Sequence, residues 1–423
     1  MAHVEAMFHQ FRVAPEDQDA FRFLWWSSDA DKPPDEYVMT VHVFGATDSP
    51  CCANYSLKRT AEDNRDKYDP IVIDTVLRNF YVDDMLRALK NEEIAIRVAN
   101  DLMSLLARGG FRLTKFMSNS PTVLEAIPND ERAAPSISLD LDELPVERAL
   151  GVGWNVKEDT FGFKVINCDK PDTMRGVLSC VSSFYDPLGF ATPVVLPAKQ
   201  ILQDCWKRKW SWDKPLEGQL LQRWCQWKSL LPLITKVQVP RCFFRCAIDL
   251  EQVEIQLHHI CDASEEGYGT VSYLRTTYPD ETIGCAFLLG KSGNAPIRAP
   301  TIPRMELQSA VLAVRMNKFI QTELELPISE TTFWTDSTIT LFCIRNENKR
   351  FKTYVANRIN EINEATDVDQ WRHCPGKLNP ADDCSRGLDP QQFLANERWL
   401  REPQFLWERE EHWPQNKVED IPR

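Results

Sequence analysis

No run of apolar residues in this chain is long enough to span a bilayer. The Met1 end lacks the charged, apolar and small-residue order of a secretion signal. Both absences predict an intracellular, cytoplasmic protein with no membrane partner. There are thirteen cysteines, an odd number with no repeated spacing, which argues against a disulfide framework and predicts reduced thiols. No internal repeat or low-complexity tract is visible. An aspartic peptidase needs Asp-Thr-Gly or Asp-Ser-Gly, because two such carboxylates share a proton across the scissile bond. The chain offers Asp172-Thr173-Met174 and Asp336-Ser337-Thr338, and neither continues into glycine. Positive charge is also short, with 49 Lys and Arg against 62 Asp and Glu and a formal net charge of -13. That balance opposes a basic nucleic-acid face overall. It leaves room for local patches, and for carboxylates gathered around metal ions.

What is present fits a soluble globular protein of two or three domains, with 423 residues, 43% hydrophobic and 26% charged. The most informative stretch is Tyr81-Val82-Asp83-Asp84, flanked by apolar residues on both sides. Two adjacent aspartates at a hairpin tip are costly unless a cation offsets them, and a divalent metal on oxygen ligands would do so. Before it, Met7–Val13 reads as a strand or strand exit, Ala20–Trp26 is an apolar run, and Tyr37–Val43 is β-rich. The turn Phe44–Pro50 follows, then a helix over Cys52–Glu62. After the hairpin comes a second helix, Glu92–Ala107, with Ile94, Ile96, Val98, Leu102, Leu105 and Leu106 giving an approximate helical stripe.

The phrases Met7–Gln10, His42–Pro50, Tyr81–Met85 and Gly110–Asn119, in this order, resemble the reverse transcriptase palm in the Pol polyprotein of BEL/Pao-type LTR retrotransposons. The resemblance extends over nearly the whole chain. It implies a multidomain α+β and α/β architecture: a partial palm over 1–128, a thumb- or connection-like region over 129–239, an RNase H-like mixed-sheet domain over 240–390 and a C-terminal tail over 391–423. It places the chain in the DNA/RNA polymerase superfamily. It also implies that Asp83 and Asp84 are metal-binding polymerase positions, that Tyr81 belongs to the same motif, and that Lys115 matches a lysine protonating the leaving pyrophosphate. The family carries a third aspartate four residues before Met7, where this chain has His3. Imidazole suits Mg²⁺ poorly, because Mg²⁺ prefers hard oxygen ligands. The fingers that precede this strand in the family are missing from the sequence, so polymerase activity is expected to be lost.

In the middle region, 128–145 reads as a linker, Leu150–Trp154 and Thr160–Ile166 as a hairpin, and Gly176–Phe184 with Val195–Trp206 as two helices. Members of the family carry the label Pao retrotransposon peptidase here, which the missing Asp-Thr-Gly opposes. Lys207, Arg208, Lys209 and Trp210 interleave charge and aromatic surface between Trp206 and Trp212. Such a segment can follow a nucleic-acid backbone and stack on it, or it can pack its tryptophans inward.

From Glu254 on, three strands, a helix starting at Pro303, a strand ending at Thr335, a helix over Tyr354–Ala365 and a short strand over Gln370–Cys374 resemble the RNase H fold. The family's four metal-binding acids fall on Asp262, Glu306, Asp336 and Asp382, with Asp383 left as an alternative to Asp382. His373 matches the mobile histidine near the leaving group. The implied cofactor is Mg²⁺, with Mn²⁺ as a substitute, and the implied partners are an RNA–DNA hybrid or template–primer duplex and other Pol or Gag parts of the element. The implied location is cytoplasmic, with a virus-like particle or the nucleus as alternatives. Cys242, Cys246, His258 and Cys261 are zinc-type ligands, but their irregular spacing reads as buried thiols. The leading functional reading is Mg²⁺-dependent cleavage of RNA in a hybrid. A non-enzymatic relic that at most binds nucleic acid is one alternative. An active reverse transcriptase, with fingers and motif supplied by a longer chain, is the other.

Overall fold

The computed structural model describes residues 1–26, 33–133, 146–149 (backbone only), 152–164, 168–245, 249–298, 300–346, 350–396 and 398–415. Most of the linker read at 128–145, the start of the Leu150 strand, the end of the Thr160 strand and Cys246 lie outside the described residues. The chain forms two compact units, Met1–Glu158 and Asp159–Arg423.

The first unit is built on a small antiparallel sheet. Its strands are β1 (Ala2–Val4), β4 (Phe80–Tyr81), β5 (Asp84–Met85) and β6 (Leu113–Thr114), in the order β4-β5-β1-β6. A separate exposed hairpin joins β2 (Arg22–Trp25) and β3 (Asp35–Val38). Helices α1 (Ser49–Asp63), α2 (Pro70–Arg78) and α3 (Glu92–Arg108) bury Leu57, Val72, Val76, Leu102, Leu105 and Leu106 beside the sheet. Asn91 caps α3 by accepting from the Ile94 amide, which explains why this helix starts where its stripe does. The short helix α4 (Pro121–Glu125) and the strands β7 (Val146–Ala149) and β8 (Val152–Asn155) complete the unit. Of the two readings of Met7–Val13, strand exit is the one observed. Ala6 takes a left-handed backbone and Met7–Gln10 is a single 3-10 turn.

In the second unit, β9 (Thr160–Gly162) pairs with β10 (Gln238–Pro240). Three helices lie between them: α5 (Met174–Ser183), α6 (Thr192–Lys207) and α7 (Gly218–Leu230). The sequence reading passed over α7, whose Trp224 and Trp227 are buried and stacked at 5.3 Å.

The centre of this unit is a five-stranded sheet. It comprises β11 (Glu254–Ala263), β12 (Gly267–Thr277), β13 (Ile283–Asn294), β14 (Ile328–Thr335) and β15 (Trp371–His373), in the order β13-β12-β11-β14-β15. The first three strands are antiparallel, and β14 and β15 run parallel to β11. Helix α8 (Ile302–Glu323) crosses over between β13 and β14, and α9 (Thr338–Arg345) and α10 (Thr353–Asn363) between β14 and β15. α11 (Ala381–Arg386) and α12 (Pro390–Ala395) follow. This is the RNase H-like mixed sheet expected from the sequence. β11 is buried along nearly its whole length, as a central strand covered on both faces must be. Trp399, Leu406 and Trp413 of the tail bury against the same core.

The structure bonds Cys168 to Cys180, against the expectation of reduced thiols throughout. The ten other described cysteines are in no disulfide. Among the described residues no helix is long and apolar enough to cross a membrane.

Candidate active site

The acids of the second unit are brought to one end of the five-stranded sheet. Asp262 is the penultimate residue of β11 and 5% exposed. Asp336 follows directly on β14, which pairs with β11 up to Cys261↔Thr335, so the two aspartates leave neighbouring strands side by side. Glu306 stands on the first turns of α8, the crossover helix that covers this edge. Asp382 stands on α11. That short helix is held to the sheet by the fully buried Asn379. Its amide donates to the Cys261 carbonyl (3.2 Å), while its side-chain oxygen accepts from the Ala381 N–H (2.9 Å). The Asn-Pro-Ala-Asp phrase is therefore a device that fixes an acid beside β11.

The electrostatics show that these groups act on one another. Burial raises the Asp262 carboxyl, and the neighbouring Asp382 raises it further. Burial, then Asp262 and Glu306, push Asp336 up to about 7. Glu306 is raised by burial and by Asp262. Carboxylates that raise one another by burial and like charge form a site that a cation would relieve. Three neutral or cationic partners temper the repulsion. Ser385 donates its hydroxyl to Asp262, Ser337 donates to Glu306 Oε2 at 2.6 Å, and Arg386 pairs with Asp382. None of the three was singled out from the sequence. Ser337 figures in the sequence only within Asp336-Ser337-Thr338, the phrase that lacks a peptidase glycine.

Asp383 has a different role. It is 3% exposed, and both its oxygens accept from Asn396 (3.1 Å each) and from Arg398 (2.9 and 2.6 Å). Its acceptor capacity is committed to these partners, whereas Asp382 is half-buried, pairs with Arg386 and Arg398 and is near enough to Asp262 to raise it. His373 lies on β15 opposite Thr335, one residue from Asp336.

Among the described residues, two groups of three ligand-type side chains bring one ligand atom each within 4.8 Å of one another: His3, Asp83 and Asp84, and His42, Asp48 and Cys52. The acids of the sheet edge are gathered more loosely. Asp262 lies close enough to Asp336 to raise it, while Glu306 is turned to Ser337 and Asp382 to Arg386 and Arg398.

In the first unit, the Tyr81–Asp84 hairpin forms as expected, with Val82 left-handed at its tip (φ 57°). β1 pairs with β5 and sets His3 opposite Asp84. His3 Nδ1 lies 3.2 Å from Asp84 Oδ1 and 3.7 Å from Asp83 Oδ2. Tyr81 is largely exposed. Lys115 follows β6 with a left-handed backbone and is exposed. Mg²⁺ does not fit this set well, since one of its three donors is an imidazole nitrogen.

Lys207 ends α6, and Arg208, Lys209 and Trp210 follow it. Trp206 and Trp212 meet edge to face at 5.4 Å, Lys214 sits 4.2 Å from the Trp210 ring centre, and Trp210 and Trp212 pack against the core. Of the four zinc-type residues, His258 and Cys261 are fully buried in β11 and Cys242 is exposed. Trp334 Nε1 donates to His258 Nδ1 at 3.2 Å. The described three do not come together.

A family model described as the Pao retrotransposon-like RNaseH-like domain matches residues 173–337. The match takes in α5 to α8 and β10 to β14, with Asp262, Glu306 and Asp336. No curated protein matches the chain. Similar solved structures include RNase H1 from the halophilic archaeon Halobacterium salinarum, at 10% identity over 30% of this chain and 90% of that one, TM-score 0.20. The N-terminal RNase H domain of Rv2228c from Mycobacterium tuberculosis, solved as a maltose-binding-protein fusion, aligns at 10% identity over 31% and 94%, TM-score 0.21. The foamy viral protease–reverse transcriptase in complex with double-stranded DNA aligns at 11% identity over 89% and 67%, TM-score 0.24.

Proposed function

On the premise that this chain is of retrotransposon Pol type and carries a Pao RNaseH-like domain, we propose that the acids at one end of its five-stranded sheet form a Mg²⁺-dependent ribonuclease site acting on the RNA strand of an RNA–DNA hybrid. The observation that supports it most is the convergence of Asp262, Asp336 and Glu306 on one end of the sheet, where β11 and β14 run side by side and each carboxyl is raised by burial and by a neighbouring acid. Asp262, Glu306, Asp336 and Asp382 are the residues that would hold the metal, and Mn²⁺ would substitute. A pair of divalent ions held there would supply Lewis acidity for a nucleophilic water and for the leaving oxygen.

The chain's own groups have definable tasks. Ser385 and Ser337 orient Asp262 and Glu306 through their hydroxyls. Arg386 and Arg398 hold Asp382 at the rim, where its release adds a fourth oxygen donor. Asp383 ties α11 to Arg398 and keeps Asp382 in place without ligating. His373 pairs across the strands with Thr335, the residue before Asp336, and would carry a proton at the leaving group. Hybrid recognition of this class reads duplex shape and 2′-hydroxyls rather than base sequence. Lys207, Arg208 and Lys209 are the basic surface proposed to meet the duplex backbone, while Trp210 packs beneath it.

Cleavage of labelled RNA annealed to DNA, with Mg²⁺, tests the proposal. The expected result is RNA cut in the hybrid, spared as a single strand, and spared in the hybrid by Asp262→Asn. Equal hybrid cleavage by the unaltered and Asp262→Asn proteins would refute it. Hybrid binding without cleavage would favour a non-enzymatic relic.

The hairpin of the first unit is proposed to have lost polymerisation, on the ground that His3 stands in hydrogen-bond contact with Asp84 where a third carboxylate is needed. Primer extension on an RNA template by the unaltered protein would overturn this.

A further inference from the structure

The second convergent group, His42, Asp48 and Cys52, belongs to neither the hairpin nor the sheet edge. We propose that these three side chains form a Zn²⁺ site in the first unit, with the fourth tetrahedral position open to water. The donor set carries one thiol, one imidazole and one carboxylate, the combination that zinc takes and Mg²⁺ does not.

The local fold brings them together for identifiable reasons. The His42 N–H donates to the Phe11 carbonyl at 3.1 Å, anchoring the backbone. The ring of His42 is packed edge-on by Phe11 at 6.4 Å and Phe21 at 5.9 Å, which leaves Nδ1 aimed at the turn. Gly45, at φ 90°, takes a left-handed conformation that a side chain would strain, and the chain doubles back so that Asp48 meets His42. α1 then starts, and the Cys52 N–H donates to the Asp48 carbonyl at 3.0 Å, stacking these two residues one turn apart.

Asp48 is at the N-terminus of α1, yet its carboxylate does not cap the helix. It faces His42 Nδ1 at 3.8 Å instead, with Ser49 Oγ 3.3 Å from the same nitrogen. All three ligand atoms lie within 4.8 Å of one another. A tetrahedral zinc site needs separations of roughly 3.5 Å, which the largely exposed Asp48 side chain can reach by a change of rotamer. The ion would tie the segment after the β2–β3 hairpin to the first turn of α1.

Co²⁺ is the probe, added to the full reduced chain in excess Mg²⁺ so that oxygen-only sites are filled. The expected result is one thiolate-bound Co²⁺ per chain, read from a thiolate-to-cobalt charge-transfer band that Zn²⁺ abolishes. Cys52→Ser should abolish the band, His42→Gln and Asp48→Asn should weaken Co²⁺ binding at least tenfold, and Cys51→Ser should change nothing. Cobalt on His3, Asp83 and Asp84 has no sulfur ligand and gives no such band. Absence of the band in the unaltered protein, or its persistence in Cys52→Ser, would overturn the proposal. Should Cys52→Ser not fold, Asp48→Asn on its exposed turn decides, and unchanged affinity there would overturn it equally.

Discussion

Replacing Asp336 with asparagine should make the metal-free protein more stable while removing its cleavage activity. The Asp336 carboxyl is raised from 3.8 to about 7 by burial, Asp262 and Glu306. The unfolded chain releases this proton near pH 4 and the folded chain holds it to about pH 7. Stability therefore falls as pH rises through that window, and the full cost is present at pH 8. Three pKa units correspond to about 4 kcal/mol, and water screening at this half-buried position reduces that to roughly 2 kcal/mol. Asparagine keeps a partner for Asp262 without the charge. In EDTA at pH 8 the variant should melt roughly 4–8 °C higher than the unaltered protein. The advantage should vanish at pH 4. Mg²⁺ should then raise the melting point of the unaltered protein and leave Asp336→Asn nearly unmoved, and hybrid cleavage should drop about a hundredfold or more. A variant less stable than the unaltered protein at pH 8, or an equal Mg²⁺ response in both, would refute the reasoning.

Three further outcomes follow from the packing. His259 is fully buried, accepts from Ser272, donates to Asn317 and is held near pKa 4 by burial. The unfolded imidazole protonates from pH 6.5 downward while the folded one does not. This contribution is thus complete above pH 6.5 and is lost by about pH 4, totalling on the order of 3 kcal/mol. Urea denaturation should show the loss, and an unchanged slope in His259→Gln would contradict it. Arg398→Ala leaves Asp383 buried without its guanidinium and should destabilise the second unit by about 3 kcal/mol or more. Asp383→Asn in the same chain should restore most of that in chemical denaturation. Gly189→Ala should cost about 2 kcal/mol or more, because φ is 76° and a Cβ would meet the Gly290 carbonyl oxygen at 1.9 Å.

The five-stranded sheet was legible because most of its strands are long, β-rich and separated by turn residues, and because β11 and β14 carry acids at their ends. Asp262, Glu306 and Asp336 could be placed on a strand, a helix and a strand end from sequence alone. The division of labour between Asp382 and Asp383 could not, since it depends on Arg398 and Asn396 arriving from beyond α11. The Cys168–Cys180 bond was equally hidden, because spacing alone does not show which two of thirteen thiols the fold brings together. In the first unit the Asp83–Asp84 hairpin was plain from its flanking apolar residues. Its strand partner was less so, because three residues, Ala2–Val4, are too few for alternation to register. Helix α7 was missed beneath a tryptophan-rich run whose charges obscure its buried face.

The central claim is that acids from β11, α8, β14 and α11 share divalent ions. Anomalous diffraction from crystals soaked in Mn²⁺ tests it most directly. The account predicts a manganese peak within bonding distance of Asp262 and Asp336, with Glu306 or Asp382 completing the oxygen shell. A protein that takes up manganese elsewhere, with that pocket empty, would contradict it.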